Sequence, residues 1–202
     1  MVVRDLVISS VFSRPHSRSD RGQAHGPELP VGCRTSCMRV LGIDPGSVAT
    51  GYGFVEARGD NTLQAVTFGA ITTRAGLPFA QRLLRIHQEL RTLLTRTRPD
   101  CAAVEAVFFA KNVQSALRLG QARGVALLAL AEEGVPIHEY SALEVKQAIT
   151  SYGQAGKSQV QEMVRMLLGL PVAPVPVDAA DALAVAICHH HAARLKARLR
   201  NQ

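Results

Sequence analysis

The sequence predicts an α/β domain built on one mixed five-stranded sheet with helices on both faces. Residues 39–72 read as three short strands joined by turns, the pattern of an antiparallel meander. The residues that follow alternate helical and strand periods, which requires crossover connections and therefore parallel pairing. Hydrophobic residues make up 47% of the 202 positions and charged residues 19%, a composition that supports one well-buried domain.

Each element has its own signal. Residues 39–43 (RVLGI) form a short apolar strand closed by the turn Asp44-Pro45-Gly46. Residues 52–57 and 63–72 are the next two strands, joined by the turn Arg58-Gly59-Asp60-Asn61. A helix is expected from Pro78 to Thr97, with Phe79, Leu83, Ile86, Leu90 and Leu93 as its apolar stripe and Pro99-Asp100 as its stop. Residues 101–107 are apolar enough for a strand buried on both faces. A second helix covers 113–133, where Ala116, Gly120 and Gly124 permit close approach of another backbone, in the core or in a second subunit. A fifth strand falls at 135–140 and short helices at 142–150 and 157–168. Pro171, Pro174 and Pro176 then make a stiff linker before a last helix over 178–199.

The segment 1–37 differs from everything after it. It is rich in Ser, Arg, Gly and Pro and shows neither strand nor helix period, so it reads as a disordered extension or as the product of a misplaced start. A compact domain is expected over 38–202.

Lysine and arginine total 23 against 16 acids, giving +7 at neutral pH and a balance that favours polyanion partners. No apolar run reaches the ~18 residues of a membrane span, so a cytoplasmic protein with no membrane contact is expected. Four cysteines without framework spacing fit a reducing compartment. A zinc site from Cys33, Cys37 and the run His189-His190-His191 is disfavoured, because no second paired half follows the loose Cys-x3-Cys. The histidine run reads as a solvated part of a helix.

The chemistry lies in four acids. Asp44 closes the first strand and faces a glycine-containing turn; Glu105 is the lone charge of a buried strand, a costly placement unless it is paired or metal-bound. Asp178 and Asp181, at i and i+3, project from one face of a helix's first turn. Capping is the competing reading of that pair, since helix N-termini favour acids. Together the four make an oxygen-rich set of the kind that holds Mg²⁺. Two such ions ~4 Å apart activate a water and stabilise the leaving oxygen of a phosphodiester. His189 stands about 12 Å further along the last helix than Asp181 and does not reach those ions.

Six segments, in order, resemble the RuvC resolvases. They are LGIDPGSxxTGYG at 41–53, VEAVFFAKN at 104–112, SALxLGQARGVA at 115–126, EYxxxxVKQ at 139–147, KSQVQxMV at 157–164 and DAADALAVA at 178–186. The resemblance spans 38–199 without large gaps. It implies an RNase H-like fold, a homodimer, and symmetric paired nicking of four-way (Holliday) junction DNA in recombination and repair. It also implies Asp44, Glu105, Asp178 and Asp181 as ligands of two Mg²⁺ per subunit, with Mn²⁺ as a substitute. By the same likeness Phe108 wedges against bases at the cut site, and Lys146 and Lys157 sit by the scissile phosphate as catalytic groups. Lys111, Asn112, Arg118 and Arg123 are further DNA-contact candidates, as is the basic tail Arg194, Lys196, Arg198 and Arg200. RuvA and RuvB are the partner proteins the likeness implies. Some relatives carry His where this chain has Asp178. The glutamine often found after the strand glutamate is Ala106 here, which puts the fine substrate contacts at that point in doubt.

Two rival classes share part of this pattern. GIDxGSxxT also reads as the first phosphate loop of an actin-like ATPase or sugar kinase, but no second glycine-rich phosphate loop follows. A junction-binding protein without catalysis is the other, and the intact set of four acids speaks against it.

Overall fold

The computed structural model describes residues 38–60, 62–74, 76–106, 112–150, 153 and 156–200. Its elements are β1 (Arg39–Asp44), β2 (Ala49–Ala57), β3 (Leu63–Thr72), α1 (Phe79–Thr97), β4 (Cys101–Ala106), α2 (Val113–Glu132), β5 (Ile137–Ser141), α3 (Ala142–Thr150), α4 (Lys157–Leu167) and α5 (Val177–Arg200). The strands form one sheet in the order β3-β2-β1-β4-β5. β1–β2 and β2–β3 pair antiparallel, while β1–β4 and β4–β5 pair parallel. This is the expected mixed sheet, with the meander on one side and the crossovers on the other.

Two apolar layers cover the sheet. On one face Leu41, Ile43, Phe54, Ala102 and Val104 pack against Ile86, Leu90 and Leu94 of α1 and Ala122, Ala126 and Leu130 of α2. On the other, Val40, Val55, Cys101 and Ala103 meet α3, α4 and above all α5. The alternation along β1 and β4 follows from the two-residue strand period, and it also places Asp44 and Glu105 on the α5 face.

Glycines decide how close α5 lies. A Cβ on Gly42 would fall 1.9 Å from the Ala182 carbonyl oxygen, one on Gly51 1.9 Å from that of Asp178, and one on Gly53 2.7 Å from Leu183. Backbone therefore rests on backbone, and α5 is seated directly over β1 and β2.

Some local expectations differ from the structure. β2 begins at Ala49, ahead of residue 52, and β5 occupies Ile137–Ser141 and not 135–140. The buried line of α1 is Arg82, Ile86, Leu90 and Leu94, a strict i+4 row; Leu83 and Leu93 flank it. The histidine run is not solvated. His189 and His190 are buried because α5 lies between the sheet and α3 and α4, which covers it on nearly all sides. His190 Nε2 lies 3.1 Å from the Val55 carbonyl oxygen, so even this buried ring has a partner. On α2, a Cβ on Gly120 or Gly124 would meet nothing within 4 Å, so these glycines face outward and not into the core.

Candidate active site

Strand register brings the acids together. Asp44 pairs directly with Gly51 on β2, and the Asp178 carbonyl sits on Gly51. On the other side Ile43 pairs with Val104, so Asp44 and Glu105 are the next residues of adjacent parallel strands, roughly 4.8 Å apart in the sheet. Asp178 and Asp181 descend from the first turns of α5. All four carboxylates thus meet at the ends of the two central strands.

Their electrostatics record that meeting. Burial, then Glu105, Asp181 and Asp178, push Asp44 up to about 8, with Lys157 pulling the other way. Burial and Asp181 raise Glu105, while Lys157 and Lys146 lower it. Asp181 is raised by burial and by Asp178, again against Lys157 and Lys146. Acids that suppress one another's charge are stabilised by a divalent cation, whose charge inverts the local balance. The donor set fits such an ion: hard carboxylate oxygens, with no thiol or imidazole among them. The tightest set of three donors among the described residues lies elsewhere, at Cys101, His138 and His189. No three of the four carboxylates bring an oxygen each within 4.8 Å of one another.

The two lysines flank the acids. Lys157 opens α4, is largely exposed, and places Nζ 3.8 Å from Asp181 Oδ2. Lys146 is half-buried on α3, close enough to act on Glu105 and Asp181. The other DNA-contact candidates fall differently. Asn112 caps α2, its side-chain oxygen accepting from the Gln114 and Ser115 amides at 2.8 and 3.3 Å. Arg123 pairs with Glu139 at 2.6 Å and donates to the Glu105 carbonyl at 3.4 Å, tying α2 to β4 and β5. The Arg118 guanidinium stands 6.0 Å from the Phe79 ring centroid. Phe108 and Lys111 lie outside the described residues, as do Cys33, Cys37 and the whole of 1–37.

Sequence reasoning missed Arg82. It is buried, donates from Nε to Thr73 Oγ1 at 3.0 Å, and reaches the Ser47 carbonyl through Nη2. It therefore braces the loop that follows Asp44. The signal was present as an arginine in register with Ile86, Leu90 and Leu94, one i+4 row in α1.

A mixed sheet with acids on its two central strands and on the helix crossing them defines a nuclease of the RNase H-like class. Residues 40–189 match the family described as Crossover junction endodeoxyribonuclease RuvC. A protein of that name from Chloroflexus aurantiacus is 57% identical over 156 residues, covering 77% of this chain and 94% of the relative. One from Roseiflexus sp. is 53% identical over 164 residues, covering 81% and 97%. The solved structure of Thermus thermophilus RuvC in complex with Holliday junction substrate aligns with a TM-score of 0.72 at 38% identity, covering 78% of this chain and 96% of that one. A yeast mitochondrial Holliday junction resolvase shares the fold at 15% identity and a TM-score of 0.59, covering 77% and 78%. This chain belongs to the RuvC family of crossover junction endodeoxyribonucleases. The kinase-like reading of residues 42–50 gives way to that membership.

Proposed function

We propose that this endodeoxyribonuclease resolves Holliday junctions by paired, symmetric nicks that depend on Mg²⁺ held by Asp44, Glu105, Asp178 and Asp181. The observation that carries the reading is the convergence of those four acids on one point of the sheet, where burial and mutual repulsion hold Asp44 up near 8. A bound divalent ion supplies there a polarised phosphate and an activated water. The chain's own residues hold the ion, position the phosphodiester and balance charge. Lys146 and Lys157 stand over the acids from α3 and α4, where an ammonium meets charge developing on the scissile phosphate.

The homodimer is supported by α2. Leu117, Gly120, Gly124 and Leu128 are all exposed and follow one another at helical spacing, an apolar stripe low enough for another backbone to approach. Two such subunits present two sites to two strands of a four-way junction. A cytoplasmic location, and RuvA and RuvB as partners, are part of this proposal, with family membership as their support. Among the described residues no helix is long and apolar enough to cross a membrane.

The test is a synthetic four-way junction incubated with the protein, with and without Mg²⁺. Symmetric nicks that require the ion, from a species sedimenting as a dimer, are expected. ATP hydrolysis without junction cutting would favour the phosphate-loop class instead.

A further inference from the structure

Away from the carboxylates, three side chains of metal-binding type meet where β4, β5 and α5 pack together. Cys101 begins β4, His138 lies on β5 and His189 on α5, and one donor atom from each falls within 4.8 Å of the others. Cys101 Sγ lies 3.3 Å from His189 Nε2, and the His138 and His189 ring centroids are 4.4 Å apart. Cys101 precedes Glu105 by four residues, about 13 Å along a strand. His189 follows Asp181 by eight, about 12 Å along a helix. The cluster is therefore separate from the carboxylate centre.

Two features make the cluster more than an apolar packing of rings. His138 Nε2 is buried with no hydrogen-bond partner, which leaves a polar atom without compensation. His189 Nδ1 is 2.8 Å from the Tyr140 hydroxyl. When Nδ1–H donates to that oxygen, the lone pair of Nε2 points toward the Cys101 sulfur, the orientation that second-sphere partners give to metal-binding imidazoles. Burial, helped by His138, His190 and Lys196, also holds His189 down to about 3, so its ring is neutral at physiological pH.

We propose that Cys101, His138 and His189 bind a zinc ion that ties β4, β5 and α5 together. One thiolate and two imidazoles suit a borderline-soft d¹⁰ cation and not the hard Mg²⁺ of the carboxylate centre. Bond lengths of ~2.0 Å to nitrogen and ~2.3 Å to sulfur place tetrahedral donors roughly 3.5 Å apart, so no pair need close by more than about 1.3 Å. Binding exchanges the thiol proton for the metal: the S–H bond breaks, the proton leaves to solvent and the sulfur–zinc bond forms. His138 is half-buried on the edge strand, which gives an ion a route in and leaves water as the fourth ligand. The competing arrangement is a thiol donating to Nε2 beside two neutral rings tilted by 33°.

Cobalt(II) distinguishes the two. The full chain, with Cys33→Ser and Cys37→Ser to leave only Cys101 and Cys188 as thiols, is stripped with chelator, supplied with excess Mg²⁺ and titrated with Co²⁺. One equivalent per chain is expected to give thiolate-to-cobalt charge-transfer absorption with tetrahedral visible bands, displaced by Zn²⁺. Cys101→Ser should abolish the charge-transfer absorption and His138→Phe weaken binding by tenfold or more. Cys188→Ser should leave both unchanged, and circular dichroism checks that each variant is folded. Absence of the absorption at millimolar Co²⁺, or its survival undiminished in folded Cys101→Ser, overturns the proposal and leaves the thiol–imidazole hydrogen bond.

Discussion

Asp44 is held between two demands: its strand is buried, and three other acids share its surroundings. An isolated carboxylate at such a site protonates, whereas one that shares a cation does not. This is why an acid at a strand end was legible from sequence, where apolar neighbours make its charge conspicuous. Lys146 and Lys157 were less legible, because a lysine on a short helix is ordinary without knowledge of what it faces. Their placement over the acids leads to a specific expectation. Lys146→Ala and Lys157→Ala should each slow single-turnover cleavage on the order of 10²-fold at saturating protein, as loss of a transition-state donor does. Junction affinity across a salt series should change little. If saturating protein restores the full rate, the lysines are phosphate anchors, and the salt slope should instead fall by about one unit. His189 and His190 show the opposite failure of sequence reasoning. Histidine next to an arginine- and lysine-rich tail reads as solvated, and its burial follows from packing that no local pattern reveals.

Element by element, strand and helix periods located nearly everything, and boundaries moved by a few residues. α1 slipped in detail: the sequence stripe admitted Leu83 and Leu93, while the structure buries Arg82 and Leu94. Apolar residues at both i+3 and i+4 make several stripes equally plausible until the facing layer selects one. α5 could be located but its depth could not, since that depends on glycines of two other strands. Gly42 is the sharpest case, because an alanine methyl would collide with the Ala182 carbonyl and lie close to the Ala186 amide. The backbone of α5 must then lift. Gly42→Ala is expected to cost about 1–3 kcal/mol as overpacking does. It should also slow cutting on the order of 10²-fold, because Asp178 and Asp181 move with the helix. Denaturant unfolding beside single-turnover cleavage reads both. A variant of wild-type stability and rate would show that α5 does not need this contact to deliver its acids.

For the molecule as a whole, two apolar layers hold one sheet, and the buried histidines of one layer set its response to acid. His189 is depressed to about 3 and His190 is also lowered, both chiefly by burial. Below the ordinary value near 6.5 the unfolded chain takes up protons that the folded one refuses. Stability is thus complete above about 6.5 and lost as pH falls toward 3. With Mg²⁺ saturating, so that the carboxylates do not offset the effect, the melting temperature should fall from pH 6.5 to 4.5, and less steeply in His189→Gln. A flat profile would contradict this. From its composition, rich in Ser, Arg, Gly and Pro, we propose that the segment 1–37 is dispensable for folding and cutting. A chain starting at Met38 should melt, sediment and cut as the full chain does; a large drop in melting temperature would show the extension to be part of the fold. The catalytic expectations depend on the four acids acting as one metal centre. The most direct test is Mg²⁺-dependent cutting of a synthetic four-way junction by Asp44→Asn, Glu105→Gln, Asp178→Asn and Asp181→Asn, with junction binding measured on the same samples. Each variant should bind the junction and fail to nick it, whereas nicking at the wild-type rate by any one of them would remove that residue from the centre.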